Sequence, residues 1–300
     1  MTAIALPSQH DIRRYARGAL ISADAVNVIP APLEQIAEAA RLQPAQDLFA
    51  LGEDAPPGIR DIMRKLRGKV MGVLAFRERT IYVDLSLGHG RRRFVHAHEI
   101  GHDALPWHER AYLADDEHTL STLTRDVLER EANAFAAELL FGIDRFSEEC
   151  DAKPAGLAHV LALTQTYEAS MHAGLRRYVE RSSHRLALLA LGRIPVTANG
   201  RRAHKVIRAQ CVQSDGFMDR YGLLAEIIPD RLIVAENPAV IVADQMDGGV
   251  SEVTELRIPD TRRGSVTFDA EIFDNRRLRF ILIYRRNLSR RSRLQVVTSN

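Results

Sequence analysis

The sequence predicts an α+β protein in three parts: residues 1–145, a short helical linker over 146–182, and a second α+β domain over 183–300. Three observations lead there. A β-branched, aromatic run, Thr80-Ile-Tyr-Val-Asp-Leu85, is followed by a Gly-rich turn and then by apolar residues at helical spacing from Arg91 to Ala104. A second long helical pattern runs from Thr119 to Phe141. After residue 182 the period changes from helical to alternating, and turn residues recur between short runs.

In order along the first part, Ile12 to Ile21 and Leu33 to Arg41 are helical by pattern. Pro56-Pro57-Gly58 is a turn, with Pro57 suited to start a short basic helix from Arg60 to Arg67. Val70 to Arg77 and Thr80 to Leu85 make a hairpin that forms a cleft floor under the helix that follows Gly88-His-Gly90. That helix carries Phe94, Val95, Ile100 and Leu105 toward a core. On the Thr119–Phe141 helix, Leu128, Ala132, Phe135, Ala136 and Leu139 form the apolar stripe, and Glu138 reads as a solvated charge.

In the linker, Cys150-Asp-Ala-Lys-Pro-Ala-Gly156 interrupts the chain, and residues 157–179 have a helix-turn-helix outline with the turn near Thr164 to Thr166. Packing explains such a hairpin better than DNA recognition does; Arg176 and Arg177, read as exposed, are its candidate phosphate contacts. In the third part, Arg185–Leu191, Lys205–Val212, Arg231–Ala235, Ala239–Ala243, Ser265–Phe273 and Arg277–Tyr284 read as strands of a mainly antiparallel sheet, with a helix over Met218–Ile227 and turns at Val196–Gly200 and Met246–Gly249.

The net charge of +2 does not mark a nucleic-acid-binding protein, but arginines cluster late in the chain, at 201–202, 262–263, 276–277 and 285–293. These are either solvated strand ends and a basic tail or contacts for an anionic ligand or nucleic acid. With two cysteines, no signal pattern at the N-terminus and no apolar run near the length of about 18 residues that crosses a membrane, a cytoplasmic protein with reduced thiols and no membrane partner is expected.

The chemistry lies in His98-Glu-Ile-Gly-His102. Histidines four apart share a helix face and can hold one Zn²⁺ per chain. Glu99, about 100° further round the axis, is placed as general base toward the attacking water. A strand followed by a helix with this motif is the zincin-type arrangement, in which a strand edge pairs with an extended substrate. A catalytic zinc needs a third protein ligand. Glu129 is favoured because Asn133, at i+4, shares its face and can orient a ligating histidine; Glu131, on another face, is the competing choice.

Arg93-Phe-Val-His-Ala-His-Glu-Ile-Gly-His102 followed by Glu129-Arg-Glu-Ala-Asn-Ala-Phe-Ala-Ala-Glu-Leu-Leu140 resembles the ImmA/IrrE metallopeptidases over residues 70–142, and more weakly over 32–40. Phe141-Gly142 departs from the Met-Pro found in many members. The resemblance implies His98, His102 and Glu129 as zinc ligands and Glu99 as catalytic base. It also implies a GAF-like sensory domain over 183–300, and a narrow substrate, usually a helix-turn-helix repressor whose cleavage derepresses a stress or anti-phage operon. Single-stranded DNA from damage is the expected activator. The segment Trp107 to His118 is expected to order only around substrate; His108, Tyr112 and His118 within it are candidate donors to the oxyanion. Cys150 and Cys211 are the only thiols. Cys211, before the loop Gln213-Ser-Asp-Gly216, is a candidate inhibitory zinc ligand from the second domain, unless it is simply a small buried residue.

Overall fold

The computed structural model describes residues 9–50, 70–114, 122–142, 144–193, 205–233, 237–260 and 264–285. The chain divides into two compact units, one of residues 2–149 with 161–174, the other of residues 150–160 with 175–300.

The first unit begins with α1 (Gln9–Ser22), α2 (Leu33–Ala39) and β1 (Gln43–Asp47), followed by β2 (Gly72–Ala75) and β3 (Thr80–Val83). The predicted turn at Pro56–Gly58 and helix at Arg60–Arg67 lie outside the described residues. The hairpin is present: β2 and β3 pair antiparallel, Leu74 opposite Ile81. Strand β1, which its polar sequence concealed, adds parallel to β3, so the order is β1-β3-β2. The Thr80–Val83 strand is therefore central, and among the described residues β2 rather than that strand lies at an edge of the sheet.

Next come α3 (His89–Ala104), α4 (Pro106–Ala114), α5 (Thr122–Phe141), α6 (Arg145–Asp151), α7 (Leu157–Thr166) and α8 (Met171–Arg181). Helix α3 ends at Leu105, whose extended backbone (φ −95°, ψ 101°) is what the following Pro106 requires. Pro106 then opens α4, where its missing N–H costs nothing. Residues 107–114 of the segment expected to order on substrate are thus helical. Helix α3 packs against both strands of the hairpin and against α5. The two helices pack closely at Gly101, where a Cβ would stand 3.0 Å from the Phe135 ring. The apolar stripe of α5 is buried as its spacing predicts, but Glu138 is buried with it and pairs with Arg13 of α1 at 3.6 Å. The reading of Glu138 as a solvated charge is corrected: α1 covers that face, which the α5 sequence could not reveal.

Helices α7 and α8 form the expected hairpin, but α7 runs through Thr166 and the turn falls at 167–170. Arg177 is buried, and Arg176 pairs with Glu180. Of the two candidate phosphate contacts, only Arg176 is at the surface.

The second unit is built on β4 (Ala187–Leu191), β5 (Lys205–Gln213), α9 (Asp215–Tyr221), α10 (Leu224–Ile227), β6 (Arg231–Ile233), α11 (Pro238–Gln245), β7 (Gly249–Val250), β8 (Thr254–Asp260), β9 (Gly264–Asp274) and β10 (Arg279–Tyr284). The sheet is antiparallel throughout, in the order β6-β5-β4-β10-β9-β7, with β8 also on β9. Strands β4 and β10 are central and buried along their whole length; β9 alternates. One face carries Leu189, Leu191, Ile281 and Ile283 against Phe217, Leu224, Val240 and Ala243 from the helices.

Two predictions change here. Ala239-Val-Ile-Val-Ala243 is part of α11 rather than a strand. An unbroken apolar run carries no period, and Pro238 at the first helical turn starts a helix. The single helix over Met218–Ile227 is two short ones, divided at Gly222, whose φ of 88° ends α9. Arg201, Arg202, Arg262, Arg263, residues 286–293 and the turn at 196–200 lie outside the described residues.

Candidate metal centre

His98 and His102 stand one turn apart on α3, and Glu129 faces them from α5. His98 Nε2 lies 3.1 Å from His102 Nε2 and 3.2 Å from Glu129 Oε2, while Glu129 Oε1 lies 3.6 Å from His102 Nε2. A tetrahedral zinc with ligand bonds of about 2.0–2.1 Å has ligand–ligand edges of roughly 3.3 Å, so the three side chains fit the group. Among the described residues this is the only cluster of three or more histidine, cysteine or acidic groups close enough to hold a metal ion.

Asn133 lies beside the same histidine. Its Oδ1 accepts from His98 Nδ1 at 3.1 Å, which leaves the Nε2 lone pair of a neutral His98 aimed at the cluster. Glu131, about 200° round α5 from Glu129, is turned away from the triangle. Its Oε2 accepts from Trp107 Nε1 at 2.6 Å and lies 3.1 Å from His108 Nε2. His108 is 0% exposed, and its Nδ1 is 2.9 Å from His102 Nδ1. The candidate oxyanion donors therefore separate. His108 is enclosed behind His102, and His118 lies outside the described residues. The Tyr112 hydroxyl reaches the cluster, 3.5 Å from Glu129 Oε1.

Glu99 is 6% exposed, and its carboxylate accepts a hydrogen bond from the Leu74 backbone N–H of β2. Burial pushes its pKa up to about 7, with Glu129 adding to the rise and His98 opposing it. A carboxyl poised near neutrality suits a group that takes and returns a proton. Burial, then the charges of His98 and His108, push His102 down to about 3, so its ring is neutral, as a metal ligand must be. Burial works against the charged form of His98 too, but its hydrogen bond to Glu129 and the charges of Glu99 and Glu129 carry it above its usual value; the same bond holds Glu129 below its own. Burial and the Glu129 charge push Tyr112 up to about 12, which keeps its hydroxyl a donor.

Cys211 lies on β5 opposite Leu189 and packs against the core of the second unit. Burial raises its thiol pKa, which disfavours the thiolate a zinc ligand needs. The segment after it is not a loop: Gln213 ends the strand, and the Ser214 side chain accepts from Phe217 N to cap α9. Cys150 is buried at the end of α6.

Residues 58–177 match the family model of the IrrE N-terminal-like domain, Peptidase_M78. This is a metallopeptidase-type family, and the match contains α3, α5 and every residue of the cluster. No curated protein matches the chain. Among solved structures, a Mycobacterium tuberculosis transcriptional regulator is similar with a TM-score of 0.52 at 13% identity, covering 91% of this chain and 87% of that one. At that identity the likeness is one of fold. Among the described residues no helix is long and apolar enough to cross a membrane.

The sequence reading missed the group formed by Trp107, His108 and Glu131. Only a histidine six residues beyond His102 and a second acid two beyond Glu129 hinted at it. Neither spacing is a local helical contact, and the three residues meet only because α4 folds back toward α5.

Proposed function

We propose that the protein is a cytoplasmic zinc metalloendopeptidase that cleaves a cognate helix-turn-helix repressor and so derepresses a stress or anti-phage operon. The observation that carries this reading is a buried, near-neutral carboxyl, Glu99, on the same helix as two histidines that face Glu129. His98, His102 and Glu129 would hold one Zn²⁺, which when bound supplies Lewis acidity and makes water acidic near neutral pH. Glu99 takes the proton of the attacking water and returns it to the leaving amine. The edge of β2 pairs with the extended substrate, and the Tyr112 hydroxyl donates to the oxygen that becomes anionic.

The second unit is read as a GAF-like sensory domain, supported by an antiparallel sheet whose first and last strands are central neighbours, with helices packed on one face. The length and two-part organisation suit a counterpart of CapP, the regulatory peptidase of anti-phage CBASS operons. Activation by single-stranded DNA is part of this proposal; the arginine-rich late sequence supports it.

The deciding experiment incubates the purified protein with any small helix-turn-helix protein found encoded beside its gene. Wild type should cleave it, Glu99→Gln should bind zinc without cleaving, and single-stranded oligonucleotide should speed cleavage in a salt-sensitive way. A second reading, a DNA-binding regulator on a peptidase scaffold, draws on the structural neighbour's description as a transcriptional regulator. Duplex binding without cleavage by wild type would favour it.

A further inference from the structure

Behind the metal triangle four side chains stand in series. His102 Nδ1 lies 2.9 Å from His108 Nδ1, His108 Nε2 lies 3.1 Å from Glu131 Oε2, and that same oxygen accepts from Trp107 Nε1 at 2.6 Å. His102 and Glu131 are each 5% exposed and His108 is fully enclosed, so water does not substitute for these contacts. Trp107 is held from outside by an edge-on Tyr15 of α1, ring centroids 5.6 Å apart.

The direction of these hydrogen bonds follows from one end. An ionised carboxylate only accepts. Glu131 therefore requires the proton of a neutral His108 to sit on Nε2. One N–H is all a neutral imidazole carries, so His108 Nδ1 must accept. Among the described residues the donor facing it is His102 Nδ1, which places the His102 proton on Nδ1 and leaves a lone pair on Nε2. That nitrogen is the one 3.6 Å from Glu129 Oε1 and 3.1 Å from His98 Nε2. Glu131, a residue of the α5 face away from the triangle, thus selects the tautomer of a histidine two hydrogen bonds distant.

We infer that His108 and Glu131, with Trp107 anchoring the carboxylate, are positioning residues that lock His102 as the Nδ1–H tautomer and so preset its Nε2 as a metal ligand before metal arrives. This rests on the metallopeptidase reading above and extends it to residues that touch neither metal nor substrate. On the other histidine, Asn133 makes the equivalent bond in a single step. The two ligands are therefore oriented by unlike devices, a neutral amide for His98 and an imidazole–carboxylate relay for His102. Such outer partners contribute about 10–100-fold to metal affinity.

The test has two arms. In metal-free wild-type protein, ¹⁵N–¹H NMR of the imidazoles should show His102 protonated on Nδ1 and His108 on Nε2; His102 protonated on Nε2 would overturn the inference without any mutation. In the second arm, zinc affinity is measured by competition with a chelator. His108→Phe and Glu131→Leu should weaken it about 10–100-fold. Glu131→Gln, which keeps an acceptor, should recover part of that loss, and Trp107→Phe should change it less than either. The cobalt-substituted spectrum should shift in His108→Phe, which a merely structural packing role would leave alone. Unchanged affinity in both His108→Phe and Glu131→Leu would overturn the relay while leaving the metal centre intact. Failure of wild type to bind zinc at all would overturn the metal-centre reading and this inference with it.

Discussion

A Cβ on Gly72 would stand 2.8 Å from Oε1 of Glu99 and 2.4 Å from Cγ1 of Val95. Strand β2 can lie this close to α3 only because residue 72 has no side chain, and the closeness is what lets Leu74 N–H reach the Glu99 carboxylate. Gly72→Ala should force β2 away from the helix, lowering stability by about 1–3 kcal/mol. The proposed repressor cleavage should fall at least tenfold while zinc content stays near one per chain. Thermal unfolding, metal analysis and cleavage rate measured on one preparation check this.

The raised pKa of Glu99 has a consequence for the metal-free protein. Below the ordinary value of 4.5 the group is protonated whether folded or unfolded. Between 4.5 and about 7 the unfolded chain has released the proton and the folded one still holds it. Stability must therefore fall as pH rises through this window, by up to about 3 kcal/mol. Glu99→Gln should flatten that slope and be the more stable protein at pH 8. Urea unfolding at several pH values without metal is the measurement; parallel slopes for the two proteins would show that Glu99 ionises normally.

Glu129 and Glu131 should separate in a metal assay. Glu129→Ala removes a ligand and should abolish near-unit zinc binding. Glu131→Ala should keep the stoichiometry at saturating zinc and lose only affinity, because Glu131 acts through His108.

Asn133→Leu leaves His98 Nδ1 without its acceptor. Zinc affinity should drop about 10–100-fold, with the histidine–Glu129 cluster still able to fill in excess metal. Chelator competition resolves this from outright ligand loss.

Cys211→Ser tests whether any thiol reaches the metal. Its packing on the sheet core predicts a modest loss of stability, about 1 kcal/mol, and a zinc X-ray absorption spectrum with nitrogen and oxygen neighbours in both proteins. A sulfur signal that vanishes in the variant, with faster basal cleavage, would restore the inhibitory thiolate.

Much of the candidate site was legible in the sequence because it depends on contacts within single helices. His98 and His102 share a face by their spacing alone, as do Glu129 and Asn133. The hairpin, α3, α5 and the antiparallel second unit were equally readable, since period and turn residues act over a few positions. Where period was absent the reading failed. The apolar run 239–243 suits helix or strand, and β1 is too polar to look like either.

The sequence by itself determined which residues share a helix face and which chemistry they could perform together. Only the tertiary structure decided which helix face meets which. The rotation of α5 against α3, set where Gly101 admits the Phe135 ring, turns Glu129 to the histidines and Glu131 to His108. Covering by other elements buries Glu138 and Arg177, whose charges alone would have kept them at the surface. The reason is that helix spacing is local geometry, whereas burial and partner choice depend on surfaces brought together from distant parts of the chain.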